Sequence, residues 1–140
     1  MPSGMQRIEA ALIDLIAQDQ SSTQIADAAL LTWNAVHAAL SPVVGARGVQ
    51  ALYRRSLYLT RNDHSCFVDG LEAGEPGDFT NLRAALARQT SAVAAAGHAA
   101  LLHNFLGLLS SLIGESLSAR LLRSVWVNLP GGHAAQDIAP

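Results

Sequence analysis

A chain of 140 residues, half of them apolar and 14% charged, has the size of one domain and enough apolar mass for a core without staples. All nine basic residues are Arg and the net charge is −2, which gives no reason to expect nucleic-acid binding. The one cysteine, Cys66, cannot form an internal disulfide, which fits a reducing, cytoplasmic setting.

The apolar share is mostly Ala and Leu, while β-branched and aromatic residues are scarce, so composition leans helical before any pattern is read. Met5 to Gln18 forms a first helix on the spacing of Ile8, Leu12, Leu15 and Ile16, and its acids Glu9 and Asp14 are foreign to a secretory signal. Ser22 is an N-cap candidate for a second helix whose Ile25, Ala29, Trp33, Val36 and Leu40 make one stripe. Ser41-Pro42 predicts an N-cap with proline at the first helical position, and hence a separate short turn stopped by Gly45. A third helix, 46–62, turns Val49, Leu52, Tyr53, Ser56, Leu57 and Thr60 inward.

From Asp63 to Asp78 the periodicity dissolves into a Gly- and Pro-bearing loop that holds five of the eleven acids. Asp78 caps a fourth helix carrying Phe79, Leu82 and Leu86. A fifth, 92–113, has an apolar arc about 160° wide, as a helix with neighbours on several sides requires. Its longest apolar run, Leu101 to Gly114, is interrupted by His103, Asn104 and Ser110 and is too short to span a bilayer, where about 20 residues are needed. A last helix covers 115–127. The expected fold is therefore all-α, a single compact bundle of five to six helices over 1–127 with a flexible tail at 128–140.

One internal echo stands out. Ser41-Pro-Val-Val-Gly45, followed by Leu52-Tyr53-Arg54, resembles Ser110-Ser-Leu-Ile-Gly114 followed by Leu121-Leu122-Arg123 at a constant offset. Either a helix–kink–helix unit is duplicated, or common residues coincide, since the flanks do not match.

Motifs for chemistry are weak throughout. Asp63-His64-Ser65-Cys66, with Asp69 and Glu72, gathers donors but lacks the paired spacing of a zinc site, so a solvated acidic loop is the better reading and no metal or cofactor is expected. Gly114-Glu-Ser116 lacks the second glycine and the preceding strand of a nucleophile elbow. Gly45-Ala-Arg-Gly48 has neither the length nor the ending of a phosphate loop. His98 lies in the apolar arc of the fifth helix without ligand-spaced partners, and none of the histidines is followed by the Lys and Gly of a phosphotransfer domain.

Arg47, Arg54 and Arg61 recur every seven residues along the outer side of the third helix, with Arg55 and Tyr58 beside them. Arg and Tyr are favoured at interfaces, and this stripe is the candidate interaction surface for an acidic protein partner or for a second copy in a homodimer. The segments Val-Val-Gly-Ala-Arg-Gly-Val-x-Ala-Leu-Tyr-Arg-Arg-Ser-Leu and Leu-Ile-Gly-Glu-Ser-Leu-Ser-Ala-Arg-Leu-Leu resemble small uncharacterised bacterial helical-bundle proteins. The resemblance touches about a third of the chain; it implies a helical fold and brings no activity with it. The expected function is a non-catalytic regulatory or protein-interaction module that self-associates. The alternative is a small-ligand binder with Trp33, Tyr53 and His98 in the pocket wall; no nucleic-acid or membrane partner is expected.

Overall fold

A computed structural model describes residues 21–64 and 74–128, and among them the fold is six helices with no strand. The first is capped by Ser21, one residue before the expected Ser22, through a complete capping box. The Ser21 hydroxyl accepts from the Gln24 N–H at 3.2 Å and the Gln24 side chain accepts from the Ser21 N–H at 2.9 Å, so two otherwise orphaned donors are satisfied reciprocally. Ser21→Ala removes half of that box and is expected to cost about 1 kcal/mol, read as a lower urea midpoint at unchanged m-value.

This helix, α1 (Ser22–Val44), runs straight through Pro42. The separate turn that Ser41-Pro42 predicts is not formed. Ser41 is not a cap; its hydroxyl donates to the His37 carbonyl at 2.6 Å. Proline lacks only the N–H that would have bonded the Ala38 carbonyl, and Leu40 (fully buried) and Val44 (partly buried) hold the last turns against the core on either side of it. Gly45, at φ 80° and ψ 154°, then stops α1 and starts α2 (Ala46–Arg61). Only glycine adopts that backbone geometry without strain.

α3 (Thr80–Ala87) has Phe79, not the expected Asp78, at its N-cap and no side-chain cap; Asp78, one residue earlier, accepts at Oδ1 from the Thr80 N–H at 3.0 Å and the Thr80 hydroxyl at 2.7 Å. Thr90 caps α4 (Ser91–Ile113), and Gly114 ends it. The expected last helix is two, α5 (Glu115–Leu121) and α6 (Arg123–Asn128), parted at Leu122. The first sequence-predicted helix and the tail beyond Asn128 lie outside the described residues.

α1 and α4 pack against each other. α3 packs chiefly on α1, α2 on α4 and α1, α5 on α4, and α6 on α1. Trp33 is wholly buried where these elements meet, with Leu40, Leu82, Leu101, Phe105 and Leu109 also closed from solvent. Among the described residues α4 is the one helix long and apolar enough to cross a membrane, and half of its most apolar stretch is buried inside the bundle. The Arg83–Asp27 ion pair, 2.6 Å between Nε and Oδ1, fastens α3 to α1 from outside; being largely exposed, it contributes little to stability.

Candidate functional site

The outer face of α2 is built from its period. Val49, Tyr53, Ser56, Leu57 and Thr60 are buried, which fixes the rotation of the helix and leaves Arg47, Arg54, Arg55, Tyr58 and Arg61 all exposed. The seven-residue spacing puts Arg47, Arg54 and Arg61 in one row along the helix. Tyr58, 57% exposed, stands within that row, and the Arg55 guanidinium lies 5.7 Å from its ring centroid. Among the described residues neither Arg47 nor Arg54 is in an ion pair. The sequence-predicted interaction surface is thus brought together in full as one cationic, aromatic-centred face.

Beside it lies a groove that periodicity could not reveal. The segment 74–78 returns over the N-terminal half of α2, and between them is an open cavity of about 790 Å³ lined by Arg47, Gln50, Arg54, Glu75 and Asp78. Gln50 Nε2 donates to the Gly74 carbonyl and ties the segment down. Gly77, at φ 86°, lets the chain turn where a Cβ would come within 3.2 Å of His37 Nε2. The two hydrogen bonds from Thr80 hold the Asp78 carboxyl below the usual carboxylate range. One wall is therefore cationic and the other anionic.

Trp33, Tyr53 and His98 also come together, in the interior. Trp33 packs edge-on to Tyr53 at 5.0 Å and to Phe105 at 4.9 Å between centroids, and lies 5.7 Å from Phe79. The Trp33 indole N–H donates to His98 Nε2 at 3.1 Å, so that nitrogen is the unprotonated one and the ring is neutral. Burial lowers the His98 pKa to about 4. Burial, and then the charge of Asp78, raise the Tyr53 phenol well above its ordinary value. The three side chains are closed from solvent, at 0%, 3% and 1% exposure for Trp33, Tyr53 and His98.

Among the described residues no group of three or more His, Cys, Asp or Glu side chains is placed to hold a metal ion. The donors Ser65, Cys66, Asp69 and Glu72 of the acidic loop lie outside the described residues. Comparison with protein-family models, with curated proteins and with solved structures finds no match.

Proposed function

We propose that the chain is a non-catalytic protein-interaction module that docks an acidic segment of a partner on the outer face of α2. The observation that carries this is the row Arg47, Arg54 and Arg61 with Tyr58 in its midst, all exposed on a helix whose rotation is fixed by its buried side. Guanidinium groups read carboxylates with fork geometry, and an exposed tyrosine supplies rigid contact area at little entropic cost. Arginines seven residues apart on a helix are spaced by about 10 Å. Carboxylates two helical turns apart on a facing helix match that spacing.

A second copy is one source of acids, because 63–78 carries five of the eleven in a segment outside the described helices, and homodimerisation in the cytoplasm is part of this reading. Sedimentation velocity across a hundredfold concentration range tests it. The expected result is a concentration-dependent dimer that becomes monomeric when Arg47, Arg54 and Arg61 are all replaced by Ser, with an unchanged far-UV CD spectrum. A triple variant that dimerises like the parent removes the arginine row from the interface.

A second reading, binding of a small ligand, draws its support from the groove at Arg47, Gln50, Arg54, Glu75 and Asp78. A cavity with opposed charges suits a molecule bearing both an anionic and a cationic group. Extra mass retained in native mass spectrometry and lost on denaturation would favour this reading over the first.

A further inference from the structure

We infer that residues 21–61 and 90–128 are two copies of one helix–glycine–helix unit packed about a pseudo-twofold axis between α1 and α4, and that the Arg–Tyr face belongs to one copy only. The correspondence runs with one shift of 69 positions and has one departure: α2 is continuous where its counterpart is parted into α5 and α6 at Leu122, the position of Tyr53. α1 and α4 are each 23 residues long, with side-chain caps from Ser21 and Thr90 to the N–H groups of Gln24 and Val93. Each ends in a glycine of the same unusual backbone geometry, φ 80° and ψ 154° at Gly45 against φ 90° and ψ 153° at Gly114. The two glycines donate to equivalent carbonyls, Ser41 and Ser110, at 2.9 and 2.8 Å. Their own carbonyls accept from Val49 and Ser118, again equivalent, at 3.0 and 3.1 Å.

Burial repeats with the same shift. All eight buried positions of α1 have a buried counterpart in α4, among them Val36 with Phe105 and Leu40 with Leu109. Val49, Tyr53 and Ser56 of α2 likewise match Ser118, Leu122 and Val125, all buried. The packing is crossed as a twofold relation demands: α2 lies on α4, and α6, in the other copy, lies on α1. Even the exposed apolar residue two before each glycine recurs, Val43 at 50% and Leu112 at 63%.

The two copies act as an internal comparison of what the scaffold needs. Core positions keep apolar or small residues in both except where Ala29 meets His98, whereas the outer face diverges: Arg47 and Arg55 correspond to Ser116 and Ser124, and only Arg54 has an arginine counterpart, Arg123. A stable unit therefore forms without the arginine row. What that row does is specific to its own copy.

Chemical denaturation of the full chain tests the repeat without reference to any partner. Gly45→Ala and Gly114→Ala each force an L-residue into a glycine-only region with open space around the new Cβ, so each is expected to lower the folding equilibrium constant about tenfold to a hundredfold, and the two by amounts within about threefold of each other. Gly48→Ala and Gly107→Ala are the controls. Their counterparts are Leu117 and Ala38, and inside helices the exchange should leave the constant unchanged or raise it. A large loss at one kink glycine and none at the other overturns the equivalence. If either variant fails to fold, amide hydrogen exchange of the parent chain decides instead: protection plotted for 21–59 overlays that for 90–128 after the shift, or the repeat is wrong.

The second clause rests on the proposed docking face and has its own test, grafting Ser116→Arg and Ser124→Arg beside Arg123. The probe is a synthetic helical peptide with glutamates seven residues apart. The parent is expected to bind one peptide and the graft two; a parent that already binds two overturns that clause. A parent that binds none discards the docking face, and the glycine pair still decides the repeat.

Discussion

Replacing Trp33 by Ala is expected to lower stability by about 3–5 kcal/mol, a large share of the roughly 5–15 kcal/mol that holds a domain folded. The size follows from where the indole sits. It is wholly buried between α1 and its neighbours and touches Tyr53, Phe79, His98 and Phe105, so truncation leaves a cavity that four rings cannot jointly collapse into. It also strands the acceptor His98 Nε2, bonded to the indole at 3.1 Å, which adds the cost of a buried unpaired group. Trp33→Phe separates the two losses, because it keeps most of the volume and removes the donor; about 1–3 kcal/mol is expected there. Urea titrations followed by far-UV CD give both numbers. A Trp33→Ala protein within 1 kcal/mol of the parent would mean that the aromatic cluster is not the centre of the core.

Acid is the second large lever, again through His98. In the folded chain its pKa is lowered to about 4 by burial, against an ordinary value of 6.5. Between those values the unfolded chain takes up a proton that the folded chain refuses, so stability falls as the pH falls. The contribution is fully present above pH 6.5, declines through the window and is gone near pH 4, with a total of roughly 3 kcal/mol at about 1.4 kcal/mol per pKa unit. His98→Gln can keep an acceptor for the Trp33 N–H and cannot titrate. Denaturation at half-unit intervals from pH 7 to pH 4 should show a slope in the parent that is largely absent in His98→Gln. Equal slopes in the two proteins would place the acid sensitivity elsewhere.

The parts of this architecture that a sequence can reveal are those set by one-sided burial. α2 was expected over 46–62 and spans Ala46–Arg61, because its inward residues alternate cleanly with the arginine row. α4 was expected over 92–113 and spans Ser91–Ile113, and its wide apolar arc correctly marks the central helix. Pro42 misled because a proline after serine is a good local start signal. Core contacts on either side of it outweigh one missing hydrogen bond, and only the tertiary structure contains that information. The break at Leu122 leaves no local mark for the same reason.

The repeat was half visible. Its glycines and serines show at a fixed spacing, but Trp33 faces Leu102 in the comparison and Ala29 faces His98. Packing conserves apolar volume and position more than identity, so the burial pattern repeats where the letters do not. The arginine face was legible from spacing alone. The groove beside it was not, since Glu75 and Asp78 reach α2 only by the return of the segment 74–78, which no periodicity announces.

The decisive measurement is a titration of the parent and of the Arg47→Ser, Arg54→Ser, Arg61→Ser triple variant against the labelled helical peptide with glutamates seven residues apart, followed by fluorescence anisotropy at low and high salt. Saturable binding to the parent that weakens with salt and drops at least tenfold in the triple variant, with helicity unchanged, is the result expected of an acidic-partner docking face. Equal affinity of the two proteins, or no binding to the parent at low salt, would contradict it.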